Sequence, residues 1–350
     1  MAVTLKILSE KTGFSAATIS RVLNNDPSMT VSEATRRIIF DTAHRLGYAG
    51  GSGRRTQRML TDTMCIGIAE MLSPAEQITD PYFLYLKNFV EQTCYERKLQ
   101  TVTLRAIGDR YCAVSASDID GIIAIGYFTD KQIESLRAIS ENIAFLDSSP
   151  NELFYDSVVL NFDLGVKQAL DYLRFLGHTR IGYIGPKRLS DETQRIVPEP
   201  RRRYYERYMH ETGLFEQNLI FETPMRNQAA VERELQLRLS AMGSDKRPSA
   251  LIAVNEESAI GAVHALRRLQ LKIPKDVSIV SFNDTVMSSV VEPALTSISP
   301  HLDYMAATAV QLVHQRASTP THQPERHFPQ KIVIPPTLVV RDSTMPYIIQ

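Results

Sequence analysis

Side chains suited to a buried face recur at helical spacing in three short stretches at the start of the chain. They are Leu5 and Leu8 in the first stretch, Ile19, Val22 and Leu23 in the second, and Ile38, Ile39, Thr42, Ala43 and Leu46 in the third. A helix returns a side chain to the same face every three or four residues, so each stretch predicts one helix with a buried stripe. Together the stretches predict a small three-helix domain over residues 1–48.

Residues that favour helix ends mark the boundaries of these three helices. Thr4, Ser15 and Ser32 can each cap a helix N-terminus, because a hydroxyl oxygen accepts an amide hydrogen that the first turn leaves unpaired. Gly13 supplies the backbone freedom of a tight turn, and Gly47 ends the third helix. Two short helices joined by a glycine turn predict a helix-turn-helix.

The outer face of the second predicted helix is small, hydroxylic and basic. It carries Ala16, Ala17, Ser20, Arg21 and Asn24. Alanines let the helix approach another surface closely, while hydroxyl, guanidinium and amide groups suit phosphate oxygens and base edges. This face predicts a recognition helix for the major groove of DNA. The alternative is a small helical domain without a role in DNA binding.

Short apolar runs alternate with longer amphipathic stretches from residue 63 onward. The runs predict strands at 64–69, 101–104, 122–125, 143–146, 181–184, 250–254 and 278–282, and the stretches predict helices at 82–98, 132–140, 164–176, 203–211, 228–240 and 258–269. The alternation restarts at Val158, which predicts an α/β fold of two lobes, each a parallel sheet with helices on both faces. A helix at 306–315 and a strand at 332–340 that crosses back are expected to close the chain.

Residues 49–62, AGGSGRRTQRMLTD, separate the two patterns and have the composition of a linker. Each glycine disfavours a helix by up to about 1 kcal/mol relative to alanine. The chain is therefore divided into the headpiece (1–48), a linker (49–62) and a large α/β domain (63–350).

The charges are unevenly distributed, although the formal net charge is zero. Residues 1–60 hold nine Lys and Arg against four Asp and Glu, and the remainder holds 30 against 35. The positive part of the chain is therefore the headpiece and linker, as attraction to phosphates requires.

Several protein classes are disfavoured by what the sequence lacks. Cys65, Cys94 and Cys112 are odd in number and without metal-ligand spacing, so we expect neither a disulfide framework nor a metal site. The sequence shows no leader pattern and no apolar run of about 18 residues, so we expect a soluble, cytoplasmic protein without a membrane partner. It has no G-x-S-x-G, P-loop or H-E-x-x-H motif, so we expect neither an enzyme nor a cofactor.

The string SAATISRVLNN at residues 15–25, preceded by Thr4-Leu-Lys, resembles the headpiece of the lactose/galactose repressor (LacI/GalR) family. Phrases at 119–126, 176–185, 253–266, 273–284, 291–300 and 337–344 resemble that family's effector domain, which shares its fold with periplasmic sugar-binding proteins. The resemblance implies a transcriptional repressor that binds operator DNA as a homodimer, and a linker that also touches DNA.

We therefore expect a set of DNA contacts in the headpiece and the linker. They are Thr4, Leu5, Ser15, Ala16, Ala17, Thr18, Ser20, Arg21, Asn24, Tyr48, Arg54 and Arg55.

A cleft between two α/β lobes binds ligands outside the carboxyl ends of the strands. Asn255 and Asn283 follow predicted strands and can both donate to and accept from hydroxyls, and Arg201 can bridge two oxygens with its planar fork. The resemblance places effector contacts at these three positions. Tyr82 or Phe83 can offer an apolar wall. The alternatives are a solvated basic face for Arg201, turn-forming asparagines, and aromatic residues packed in a helix core.

Two departures from the family pattern affect the expected effector, a sugar such as a galactoside. Asn283 replaces the usual aspartate, and Tyr204 stands where the family commonly has glycine. Within the family, Asn25-Asp-Pro and Asn283-Asp284 look most like the evolved β-galactosidase operon repressor. Two other functions stay open: a corepressor-dependent regulator with a non-sugar ligand, and a ligand-binding protein that does not bind DNA.

Overall fold

The computed structural model describes residues 4–23, 31–46, 63–79, 81–113, 118–190, 196–318 and 328–347. The chain divides into two units, Met1–Met64 and Cys65–Gln350. The predicted linker, residues 49–62, lies outside the described residues. Among the helices that are described, none is both long and apolar enough to cross a membrane.

The first unit contains α1 (Leu5–Thr12), α2 (Ala16–Leu23) and α3 (Glu33–Leu46). Its buried core consists of Leu8, Ile19, Val22, Ile39 and Ala43. The prediction that Ile38 shares this core is wrong, because its side chain is 50% exposed. Adjacent helical residues point about 100° apart, so Ile39 faces the core and Ile38 does not.

Among the described helix ends of the first unit, the predicted caps are confirmed except at Thr4, and Gly47, the predicted end of α3, lies outside the described residues. Gly13 ends α1 in the left-handed region, at φ 76°. The Ser15 and Ser32 hydroxyl oxygens accept from the backbone amides of Thr18 and Thr35, at 3.0 and 3.1 Å. Thr4 stands at the N-cap position of α1, whose residues are all described, but its side chain makes no capping hydrogen bond.

The second unit contains the α/β elements. Its helices are α4 (Pro74–Thr79), α5 (Pro81–Glu96), α6 (Asp130–Arg137), α7 (Phe162–Phe175), α8 (Pro200–Glu211), α9 (Gln228–Ala241), α10 (Glu256–Arg268), α11 (Val286–Val290) and α12 (Leu302–Ser318). Its strands are β1 (Cys65–Glu70), β2 (Gln100–Ile107), β3 (Arg110–Ala113), β4 (Gly121–Ile125), β5 (Ile143–Leu146), β6 (Asp156–Leu160), β7 (Ile181–Gly185), β8 (Arg188–Ser190), β9 (Ile196–Pro198), β10 (Ile220–Glu222), β11 (Ala250–Ala253), β12 (Ser278–Phe282), β13 (Thr296–Ser299), β14 (Lys331–Ile334) and β15 (Thr337–Val339).

Two large sheets define two lobes of the second unit. The first sheet has the order β14-β6-β5-β4-β1-β2-β3, and the second has the order β10-β7-β11-β12-β13-β15. Every pairing within them is parallel except β2 with β3 and β13 with β15. Parallel strands buried on both faces are continuous apolar runs, which is why most of them were predictable. The α/β fold is as expected.

The chain passes between the two lobes three times. It leaves the first sheet after β6, returns after β13 as α12, which packs on β4, β5 and β6, and crosses again between β14 and β15. The predicted restart at Val158 is therefore misplaced, because β6 belongs to the first sheet. The single strand predicted at 332–340 is two strands, because Pro335 and Pro336 interrupt it and prolines lack an amide hydrogen for a sheet ladder.

His178 links the second lobe to the last described segment of the chain. Its side chain is 2% exposed, with Nδ1 2.9 Å from Ser249 Oγ and Nε2 3.1 Å from the Met345 carbonyl oxygen. A carbonyl only accepts, so in the neutral ring Nε2 carries the hydrogen and Nδ1 accepts from the Ser249 hydroxyl. Burial lowers the pKa of His178, although the bond to Met345 opposes that effect.

We expect the free energy of unfolding to fall on acidification from about pH 7.5 to about pH 5.5, partly through His178. An unfolded histidine takes up a proton near pH 6.5. The folded one does so only at lower pH, so protonation favours the unfolded chain. Denaturant titrations of the wild type and His178→Gln measure this, and the variant should show the weaker pH dependence. His264→Gln, at an exposed position on α10, is the matched control. An unchanged dependence in His178→Gln would contradict this assignment.

Candidate functional site

The outer face of α2 presents most of the predicted DNA contacts of the headpiece to solvent. Exposed there are Ser15, Ala16, Ala17 and Arg21, while Thr18 and Ser20 are half-buried. Ile19 and Val22 are buried on the opposite face, which fixes the orientation of the helix in its own unit. The result is an exposed surface of small and hydroxylic residues with one guanidinium.

The remaining predicted DNA contacts are divided between α1 and undescribed segments. Thr4 is exposed and Leu5 is half-buried at the start of α1. Asn24, Tyr48, Arg54 and Arg55 lie outside the described residues.

Tyr82 and Asp147 stand together on the first lobe, where two strands end. Both side chains are buried, and the Tyr82 hydroxyl donates to Asp147 Oδ1 at 3.1 Å. Pro81 begins α5 and places Tyr82 in its first turn, while Asp147 follows β5 directly. Burial and the neighbouring Asp147 charge raise the pKa of Tyr82, so its phenol remains a hydrogen-bond donor.

Phe83 is buried beside Tyr82, with the ring centroids 5.0 Å apart and the rings nearly perpendicular. The Tyr82 hydroxyl bonds to the carboxylate at the end of a strand, whereas Phe83 has only its ring to offer. Of the two predicted aromatic residues, Tyr82 is thus the one with a polar group at the carboxyl end of the first sheet.

Arg201 lies on the second lobe and is 7% exposed. Its Nε donates to Glu199 Oε1 at 2.6 Å, and its NH1 donates to the Val254 carbonyl oxygen at 3.0 Å. Its guanidinium carbon lies 4.5 Å from the centre of the Phe162 ring and 5.7 Å from that of Phe282. Burial lowers the pKa of Arg201, but Glu199, through its charge and its hydrogen bond, and the nearby Tyr183 together outweigh that effect, and the pKa is raised.

The run Arg201-Arg-Arg is therefore not a solvated basic face. Arg202 is also buried, with its side chain paired to Glu206 at 2.8 Å and to Glu222 at 3.2 Å. Of the three side chains, only that of Arg203 is largely exposed, at 59%. Helical spacing explains the difference, because neighbouring residues point in different directions.

The two predicted asparagines occupy the carboxyl ends of β11 and β12 with different backbone roles. Asn255 is buried and caps α10, its Oδ1 accepting from the Ser258 amide at 2.9 Å. Asn283 is half-buried in the left-handed region, at φ 94°. The adjacent Asp284 carboxylate lies 2.7 Å from Arg341 NH1.

These side chains belong to both lobes, and an electrostatic effect connects the two groups. Arg201 bonds to the carbonyl of Val254, the residue before Asn255. The Arg201 charge also lowers the pKa of Tyr82 on the first lobe, although burial and Asp147 raise that pKa by more. Tyr127, which follows β4, interacts with the Arg201 charge as well. We call the region that includes Tyr82, Asp147, Arg201, Asn255 and Asn283 the effector cleft, after the role that the sequence predicts for it.

Four side chains of the effector cleft were missed by sequence reasoning. They are Asp147, Tyr127, Phe162 and Glu199. Asp147 follows a predicted strand just as Asn255 and Asn283 do, so the same rule would have found it. Nothing in the local sequence indicates that Phe162 and Glu199 face Arg201. In the parts of the chain that the structure describes, no group of three His, Cys, Asp or Glu residues could hold a metal ion.

Comparison with known proteins places the chain among transcription regulators. Residues 170–344, half of the chain, match the model of the periplasmic binding protein-like domain. The chain is 29% identical over 362 residues to the HTH-type transcriptional repressor MelR of Bacillus subtilis, covering 97% of each protein. It is 28% identical over 342 residues to the HTH-type transcriptional regulator GalR of Streptococcus thermophilus, covering 97% of this chain and 99% of that one.

Solved structures show the same fold over nearly the whole chain. A lac repressor dimer bound to operator and the anti-inducer ONPF has a TM-score of 0.64 at 22% identity, covering 99% of this chain and 100% of that chain. A complex of the transcriptional regulator CelR with cellobiose has a TM-score of 0.62 at 20% identity, covering 97% and 99%.

The narrower likeness to the evolved β-galactosidase operon repressor stays a prediction. The broader assignment stands on the helix-turn-helix, the two α/β lobes and the full-length relatives together. The chain belongs to the lactose/galactose repressor (LacI/GalR) family of DNA-binding transcription regulators.

Proposed function

We propose that this protein binds an operator as a homodimer and represses transcription, and that a sugar such as a galactoside releases it by binding in the effector cleft. The observation that carries the proposal is the presence, in one chain, of an exposed helix face suited to DNA and of buried polar side chains that follow strands on both lobes. It acts in the cytoplasm, where it meets DNA.

A dimer follows from the small size of the DNA-reading surface. One recognition helix reads only a few base pairs, so two copies on a two-fold operator raise both affinity and specificity. The lac repressor in the related structure is a dimer on its operator, which supports the same assembly for this chain.

The chemistry of the effector cleft supports a sugar. A hydroxyl group both donates and accepts, and the cleft offers donors from Arg201 and Asn255 and an acceptor in Asp147. CelR was solved as a complex with cellobiose, and a related regulator from Enterococcus faecium with bound ribose. Both ligands are uncharged sugars, which supports the same class of effector here.

Release of DNA follows if the ligand changes the angle between the lobes. A ligand that bridges Asp147 and Arg201 joins the lobes, whereas without it each side chain has only its protein partners. The coupling between ligand and operator is expected to be about 1–3 kcal/mol, and the operator then lowers sugar affinity by the same factor.

Substitutions on α2 should separate general DNA affinity from base preference. Arg21→Ala should weaken binding to all sequences and reduce the slope of log affinity against log salt by about 1, because one phosphate contact is lost. Ala17→Gln should change the preferred base, because it adds a bidentate group to an apolar surface. Binding of a randomised operator library at several salt concentrations measures both effects. Arg97→Ala, an exposed arginine of the second unit, is the charge-matched control. Unchanged binding in both α2 variants would refute the recognition helix.

Substitution of Arg201 should produce a repressor that is not induced. Arg201→Lys keeps a positive charge beside Glu199 but removes the planar fork, so sugar affinity should fall about tenfold or more while operator affinity is kept. Lysine is chosen because Arg201→Ala would leave a buried carboxylate unpaired, at a cost of about 3–5 kcal/mol.

Operator titrations with and without galactosides and other neutral sugars decide the outcome for Arg201→Lys. Arg203→Ala is the control, since that neighbouring side chain is mostly exposed. Normal induction of Arg201→Lys would remove Arg201 from the site. Tighter operator binding by the wild type in the presence of ligand would reverse the sign and indicate a corepressor.

A further inference from the structure

We propose that Glu199 sets the charge of the effector: the cleft binds an uncharged sugar and rejects sugar phosphates and sugar acids. The inference deepens the proposed function, since it takes the cleft around Arg201 as the sugar site. It concerns a residue to which neither the sequence pattern nor the family resemblance gave a role.

The Glu199 carboxylate is fixed beside Arg201 by bonds that use both of its oxygens. Oε1 accepts from Arg201 Nε at 2.6 Å, and Oε2 accepts from the Tyr183 hydroxyl at 2.8 Å and from the Arg202 amide at 2.7 Å. Glu199 is fully buried and is the N-cap of α8, with Pro200 at the first helical position. A carboxylate with these three bonds cannot turn away from the arginine.

Arg201 consequently offers hydrogen-bond donors but little net charge. A guanidinium has five N–H hydrogens, and the bonds to Glu199 and to the Val254 carbonyl use two of them. The hydrogens that remain, on NH1 and NH2, form a fork for two ligand oxygens. A phosphate or carboxylate on the ligand would compete with Glu199 for the same positive charge.

Arg202, the other buried arginine of this helix, is not available to pair with an anionic group of the ligand. Arg202 is paired with both Glu206 and Glu222. On the opposite wall, Asp147 adds a second carboxylate and accepts from Tyr82. A ligand hydroxyl can donate to a carboxylate, whereas an anionic group is repelled by it, and the Arg201 guanidinium that such a group would meet is already paired with Glu199.

The two aromatic rings around Arg201 strengthen this discrimination. Phe162 and Phe282 lie against the guanidinium, so its surroundings are apolar and electrostatic interactions are screened less than in water. Repulsion between Glu199 and an anionic ligand is therefore screened less there than it would be in water.

The first test compares matched sugars on the wild-type, full-length protein by isothermal titration calorimetry. The probes are galactose, galactose 6-phosphate and galacturonate, then glucose, glucose 6-phosphate and glucuronate, then ribose and ribose 5-phosphate. In each set whose neutral sugar binds, we expect the charged sugars to bind at least about tenfold more weakly. This corresponds to a binding free energy less favourable by about 1.4 kcal/mol or more. This comparison uses only the wild-type protein.

The second test removes the negative charge of Glu199 and keeps its shape. Glu199→Gln retains an oxygen to accept from Tyr183 or the Arg202 amide, and it leaves Arg201 with an uncompensated charge. The affinity ratio of phosphorylated to neutral sugar should rise about tenfold. Glu206→Gln, on the same helix but paired with Arg202, is the matched control and should not change that ratio. Thermal unfolding shows whether each variant folds. If Glu199→Gln does not fold, the comparison of sugars on the wild-type protein alone tests the inference.

The outcomes distinguish this inference from the function on which it rests. Equal or tighter binding of a charged sugar by the wild type overturns the inference and leaves a sugar-responsive repressor. An unchanged ratio in folded Glu199→Gln also overturns it, because another group would then set the charge preference. Failure of every sugar to bind refutes the proposed sugar effector and the inference with it.

Discussion

The buried guanidinium of Arg201 requires a partner of opposite charge, and the organisation of the second lobe follows from how that requirement is met. Glu199 supplies the charge, and the same carboxylate caps α8 and bonds to Tyr183 of β7. Arg201 then bonds to Val254 at the end of β11. One ion pair thus joins a helix to the middle of β7 and to the carboxyl end of β11, and the cost of burying a charge is offset by bonds that also hold Arg201 in place.

Buried polar side chains also connect neighbouring elements between β11 and β12, the next strand along this edge. Asn255 caps α10, and Glu256, the first residue of that helix, accepts from the amides and hydroxyls of Thr285 and Ser288. Burial raises the pKa of Glu256, although these four bonds oppose it. The loop after β12, in which Asn283 and Asp284 both have positive φ, is therefore tied to the helix after β11. The buried Asn255 and Glu256 side chains are thus stabilised by hydrogen bonds to groups that follow them in the chain.

The parts of the structure that sequence reasoning predicted are those with a local or a periodic cause. Buried parallel strands are unbroken apolar runs, and the caps at Ser15 and Ser32 depend on hydroxyls beside the helices they begin. The interactions around Arg201 have no such cause. Glu199 stands two residues away in an exposed-looking run of charges, and its burial arises only when α8 packs against β7. The resemblance to a family supplied Arg201 and the asparagines, but not the carboxylates that determine what those groups can bind.

The three crossings between the lobes make each lobe discontinuous in sequence. The first sheet contains strands from residues 65–160 and then β14, while α12, at Leu302–Ser318, covers three of its strands. The second sheet likewise receives β15 only after β14 has been made. During synthesis on the ribosome, β14, the last strand of the first sheet, therefore emerges only after more than nine-tenths of these 350 residues have been made. Both lobes reach their complete sheets within a few residues of each other, so neither lobe exists in finished form without the other.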